Sequence, residues 1–152
     1  MSTLVYGALT LLGEFGGLAA GKVQRLPGLT NSAGYLDLEI LVQVKTKDAD
    51  RVARSNPRLD VYWYSSLDDG VTWETGGNTS AVIDLMGSER HLIELSVPQP
   101  KVLYSTSFSF CQRARRLYLP KHLGIVVANF TGQDVKPAAA NGSVYYRGIS
   151  TT

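Results

Sequence analysis

Apolar and polar residues alternate along much of this chain. In "YLDLEILVQVK", Leu36, Leu38, Ile40, Val42 and Val44 fall on one phase, with Asp37, Glu39, Gln43 and Lys45 on the other. A period of two sustained this long marks a strand buried on one face. "LDVYWYS" repeats it, setting Leu59, Val61 and Trp63 against Asp60, Tyr62 and Tyr64. "HLIELSV" sets His91, Ile93, Leu95 and Val97 against Leu92, Glu94 and Ser96, and "VLYSTSFSF" aligns Val102, Tyr104, Thr106, Phe108 and Phe110. "GIVVANF" is a β-branched run and "SVYYRGI" supplies a last strand. Turn formers separate these runs: Pro27-Gly28, Asn56-Pro57, Asp69-Gly70, Gly76-Gly77-Asn78, Pro98 to Pro100, Gly132 and Asn141-Gly142. No long segment holds a helical period. The pattern predicts an all-β antiparallel sandwich of about eight strands. Its expected core is Leu38, Ile40, Val42, Val61, Trp63, Ile93, Leu95, Phe108, Ile125 and Val127.

Two segments depart from the rhythm. "KTKDADRVARSNPRLD" is a polar connector, with a turn of helix expected around Asp50 to Arg54 and ended by Asn56-Pro57. The opening "MSTLVYGALTLLGEFGGLAAG" is apolar from Leu4 to Leu12 and has small residues at Ala19-Ala20, the ingredients of a signal peptide. No Lys or Arg precedes the run, however, and Glu14 interrupts it. It also falls far short of the ~20 residues a membrane helix needs. The expectation is a protein synthesised in the cytoplasm, with no membrane partner. Five glycines weaken any helix here, yet Leu4, Val5, Leu9, Leu11, Leu12, Phe15 and Leu18 are costly to leave in water. Residues 1–20 are therefore expected to form either an extended arm docked on a neighbouring subunit or an edge strand completing the chain's own sheet. No repeat or linker divides the rest, so a single domain over residues 1–152 is expected.

Composition sharpens this picture. Charged residues make up 18% of the chain, below the roughly 25% usual in soluble domains, which suits a protein packed against neighbours. A net charge of +2 argues against nucleic acid as a partner, since that normally needs a concentrated basic face. One cysteine, Cys111, excludes an internal disulfide framework.

The candidate chemistry is sparse. "SSLDDGVTWE" contains Ser66, Asp68, Gly70, Thr72 and Trp73 in the spacing S-x-D-x-G-x-T-W, which resembles the Asp-box hairpin of sialidase propellers. A propeller needs at least about four blades, and at roughly 40–50 residues per blade this chain holds three at most. The single copy reads as a structural turn in which Asp68 caps backbone amides and Gly70 supplies a positive φ. His91, His122 and Cys111 lack metal-ligand spacing, and there is no nucleophile elbow or phosphate loop. Asn78, Asn129 and Asn141 head glycosylation sequons that have no role without secretion. "RARRLYLPK" concentrates Arg113, Arg115, Arg116 and Lys121 around Tyr118, a pattern open to an RNA or DNA contact but expected to be an exposed loop. No catalytic, cofactor-binding or metal-binding residue is predicted, and the protein is expected not to be an enzyme.

The segment "LPKHLGIVVANFTGQDVKPAAANGSVYYRGI" runs from Pro120 through a β-branched strand to Asn129 and Thr131-Gly132, then by Asn141-Gly142 into a tyrosine-rich strand. With "SFSF" and the Asp-box-like hairpin before it, this resembles small structural proteins of tailed bacteriophages, over residues 59 to 149. The resemblance implies a jelly-roll-like sandwich and a non-enzymatic virion role on the capsid surface. Such a cement or decoration protein binds the major capsid protein and copies of itself, as a homodimer or a ring. The alternative is a carbohydrate-binding or receptor-binding module of a tail or fibre, with Tyr62, Tyr64, Tyr145 and Tyr146 stacking on a glycan.

Overall fold

Alternation and turn chemistry fold the chain into two antiparallel sheets. The computed structural model describes residues 2–47, 56–66 and 88–152. The strands are β1 (Leu4–Tyr6), β2 (Thr10–Glu14), β3 (Val23–Arg25), β4 (Leu29–Thr30), β5 (Asp37–Val44), β6 (Arg58–Ser65), β7 (His91–Ser96), β8 (Tyr104–Ser109), β9 (His122–Phe130) and β10 (Gly142–Thr151). The α-helix among the described residues, α1 (Phe110–Ala114), follows β8 directly, and short 3-10 turns occupy Ser88–Arg90 and Ala139–Asn141. No helix among the described residues is long and apolar enough to cross a membrane. The helix expected around Asp50 to Arg54 lies outside the described residues.

One sheet runs β1-β10-β5-β8, with β2 also on β10, and the other runs β3-β9-β6-β7, with β4 also on β9. Within each sheet the two short strands share one edge. β1 faces Ile149 to Thr151 of β10 and β2 faces Ser143 to Tyr146, with Gly7 N–H bonding Gly148 O between them at 2.8 Å. β3 and β4 share β9 in the same way, broken by Pro27, which has no N–H to offer the ladder. Ten strands less two shared edges leave eight positions, ordered 1-8-3-6 and 2-7-4-5. First pairs with last, second with seventh, third with sixth and fourth with fifth. This is one long antiparallel ribbon rolled up, the jelly-roll arrangement.

Of the two expectations for the N-terminal segment, the edge strand is the one found. After β2, Phe15 N–H bonds Gly142 O at 2.9 Å, and Phe15 and Leu18 enter the core at 0% and 7% exposure. The core itself follows the pleat. Leu38, Ile40, Val42 and Val44 of β5 point inward against Leu59, Val61 and Trp63 of β6, and Leu123, Ile125 and Val127 of β9 join them. Leu95 is half-buried at its margin. Phe110, aligned with the strand by the sequence, is instead the first residue of α1 and is buried there, because Ser109 ends the strand and caps the helix.

Two departures have one cause. The β6–β7 register shifts between Val61 and Tyr62, so that Val61 faces Ile93 and Tyr62 faces His91. Leu92 is the extra residue of this bulge, and both Leu92 and Ile93 are buried. His91 therefore leaves the expected phase and lies edge-on to Tyr62, ring centroids 5.1 Å apart. The β2–β10 register shifts likewise between Val144 and Tyr145, where Leu12 is the extra residue.

The end of β9 is locked by Asn129, which is fully buried. Its Nδ2 donates to Leu18 O at 3.0 Å and Gln133 O at 2.8 Å, while its Oδ1 accepts from Thr131 N–H at 3.1 Å and from the Thr131 hydroxyl at 2.7 Å. The backbone of Asn129 adds bonds from its N–H to Lys22 O and from Gly21 N–H to its own O. The "N-x-T-G" turn thus ties the N-terminal segment to the seventh strand position.

Asn129→Ala leaves several of these buried groups unpartnered and is expected to destabilise the fold by about 2–4 kcal/mol, read by urea unfolding. Asn129→Asp keeps the acceptor but loses both donors and buries a carboxylate. Its deficit should be largest at neutral pH and should shrink as the pH falls and the buried carboxyl takes up a proton. An Asn129→Ala protein as stable as the wild type would show that the turn does not hold the segment.

Candidate functional site

Two surfaces carry the features most able to act. The first is the shared β1/β2 edge. Its inner side is paired to β10, and no strand lies on its other side among the described residues. Leu4, Val5, Tyr6, Leu9 and Leu11 are exposed along it. From Ser2 to Gly13 the chain carries no charged residue and no proline. Natural sheet edges usually bear such residues to block pairing with another chain.

The set of apolar residues expected to make assembly contacts is therefore split by the fold. Leu4, Val5, Leu9 and Leu11 face solvent, Leu12 packs partly against the core, and Phe15 and Leu18 are core residues unavailable to any partner. The division falls where the chain turns inward after β2, with Val135 N–H bonding Leu18 O at 2.9 Å.

The second surface is a cleft of about 810 Å³ between the Ser88–Arg90 turn with the start of β7 and α1. Its floor is Trp63, which is 1% exposed and braced by Phe110 edge-to-face at 5.4 Å. The Arg90 guanidinium lies over the indole, 4.1 Å from the ring centroid, and that of Arg116 lies 5.0 Å away. Each such contact contributes about 0.5–2 kcal/mol. Arg113 and Arg115 extend the lining, and Glu89 is its acidic member among the described residues. The helix ends early because Arg115 adopts φ 53° and ψ 44°, the left-handed cap that glycine usually fills. Arg116 N–H closes the cap on Cys111 O at 2.9 Å.

The remaining expected site residues are scattered. Ser66 N–H reaches His122 O at the end of β6. Asp68, Gly70, Thr72 and Trp73 lie outside the described residues, as does Asn78. Tyr64 is buried on the outer face of the second sheet, its ring over Gly124 and its hydroxyl donating to Leu26 O at 2.9 Å. A Cβ on Gly124 would come within 2.0 Å of that ring. Burial pushes the phenols of Tyr62 and Tyr64 above their ordinary range. Tyr145 and Tyr146 belong to the first sheet, so the four tyrosines share no groove. Asn129 is sequestered by its own hydrogen bonds, and Asn141 Nδ2 donates to Pro137 O. Among the described residues no three His, Cys, Asp or Glu side chains are placed to hold a metal ion.

Sequence reasoning flagged Arg113, Arg115 and Arg116 but not Arg90, which stands more than twenty residues away and carries no local signal. Rolling the ribbon brings β7 beside α1, and only then do the four arginines line one cleft. No protein-family model matches this sequence, and no curated protein matches it.

Cys111, in α1, has Sγ 3.6 Å from Leu36 O and its N–H on Asp37 Oδ1 at 2.8 Å. Burial first, then the negative charge of Asp37 and a hydrogen bond to it, push the thiol pKa up to about 12. A thiol with so high a pKa stays protonated and is a poor nucleophile. Iodoacetamide should therefore alkylate native Cys111 at least ~100-fold more slowly at pH 8 than it alkylates an ordinary cysteine. The rate should still be climbing above pH 10. Reaction at the ordinary rate in the folded protein would contradict this burial.

Proposed function

We propose that the protein is a non-enzymatic virion structural subunit, a cement or decoration protein that binds the major capsid protein through the β1/β2 edge. The observation that carries the proposal is that edge: exposed, apolar, and free of charge and proline from Ser2 to Gly13. An extended segment of the shell protein can add alongside β1 and β2. Main-chain hydrogen bonds then supply affinity, and Leu4, Leu9 and Leu11 supply side-chain anchors. Burying each large apolar side chain gains about 1.5–3 kcal/mol. Repetition over symmetry-related sites multiplies weak contacts into a durable one. The jelly roll suits the role, since capsid proteins and lectins both use it. The glycan reading is less favoured, because Tyr64 is buried and Tyr145 and Tyr146 lie on a different sheet from Tyr62.

The test replaces Leu4, Leu9 and Leu11 together by lysine, the residue that natural edges use against pairing. All three are exposed, so the melting temperature should stay within a few degrees of the wild type. Co-sedimentation with purified capsid shells should fall from saturating binding to background. Undiminished binding by the triple variant, or no binding by the wild type, would overturn the proposal.

A further inference from the structure

We propose that the turn after α1 is a membrane-contact tip, which seats Leu117 and Tyr118 in the headgroup boundary of a bilayer containing anionic lipid. None of its residues belongs to the β1/β2 edge, so the two surfaces are independent and can be tested apart.

The anchoring of this turn sets it apart from an ordinary loop. Ala114 and Leu119 are buried in the core, and the four residues between them, Arg115, Arg116, Leu117 and Tyr118, are all exposed. Arg115 takes the left-handed conformation that ends α1, and Arg116 N–H closes the cap on Cys111 O. Leu119 then returns the chain to the core. So short a span between two fixed points holds the apolar pair outward. Leu117 is 100% exposed and Tyr118 72%, the two highest values for large apolar side chains among the described residues. One exposed leucine is ordinary. A leucine and a tyrosine side by side at the apex of a pinned turn are not.

The chemistry of the segment selects the partner. The Leu117 side chain gains by leaving water for hydrocarbon, and it offers no donor or acceptor to a phosphate or a base edge. Tyr118 joins an apolar ring to a polar hydroxyl, the combination that favours the boundary between acyl chains and headgroups. Arg113 and Arg115 flank the pair and are exposed, and the chain carries no acidic residue from Leu95 to Gln133. Arginine stems can lie along an apolar layer while their guanidiniums reach lipid phosphates. One hydrophobic signal gives only marginal attachment to a bilayer, and a basic signal beside it makes the attachment durable. The contact is peripheral, since no helix among the described residues is long and apolar enough to cross a membrane.

Co-sedimentation with extruded vesicles tests the proposal, comparing phosphatidylcholine alone with the same lipid containing about 30% phosphatidylglycerol. The wild type should bind the mixed vesicles in preference to the neutral ones, and binding should weaken as salt is raised. Leu117→Ser/Tyr118→Ser should bind the mixed vesicles about tenfold or more weakly with an unchanged thermal melt, because both side chains are exposed. Arg113→Gln/Arg115→Gln should lose about tenfold or more as well. In a Tyr118→Trp variant, brominated phosphatidylcholine in the mixed vesicles should quench more fluorescence than it does in the wild type, which reports on the native tryptophans alone. The proposal is overturned if the wild type does not bind the mixed vesicles, if either double variant binds them as the wild type does, or if Tyr118→Trp shows no added quenching. It is equally overturned if Leu117→Ser/Tyr118→Ser loses binding to a single-stranded oligonucleotide or to purified capsid shells while vesicles bind neither protein, which would make the tip a contact for a macromolecule.

Discussion

The fold depends on Asn129. A jelly roll is a ribbon whose first and last strands must meet, and the first strand position here is the weakest piece, two short strands joined at Gly7. Cross-strand bonds to β10 alone would leave it prone to fray. What secures its far end is a buried amide that donates to Leu18 O and Gln133 O while accepting from Thr131. Phe15 and Leu18 are thereby held in the core, and the segment before them has nowhere to go but along β10. The same constraint leaves the outer rim of β1 and β2 facing solvent with its apolar side chains in place.

The sequence and the structure agree most closely where one face of a strand meets the core and the other meets water. β5 shows it in full, with Leu38, Ile40, Val42 and Val44 buried and their neighbours half-buried. β9 is harder to read, because nearly all of it is buried, and a continuous apolar run carries no phase. In β7 the alternation misleads for a definite reason: a bulge adds Leu92, and the extra residue moves the side chain beyond it to the opposite face. The N-terminal segment was legible as apolar and as needing cover, but which part was core and which was rim followed only from its pairing with β10.

The candidate sites divide in the same way. The apolar rim is a local property of twelve consecutive uncharged residues, Ser2 to Gly13, so it shows in the sequence. The arginine cleft is a long-range property. Its α1 arginines read as an exposed loop until the roll sets Arg90 and Trp63 opposite them. One surface offers main chain and leucines at an edge of the first sheet, and the other sets guanidiniums on an indole between α1 and the start of β7.

Amide hydrogen exchange on the isolated protein tests the central claim most directly, because it asks whether residues 2–20 belong to the roll. The account predicts that the Phe15 and Leu26 amides, bonded to Gly142 O and Ile125 O, exchange as slowly as those of β5, through global unfolding. The outward amides of β1 should exchange fast. Rapid exchange throughout residues 2–20, with β5 still protected, would mean that the segment is a detached arm and that the closure described here is wrong.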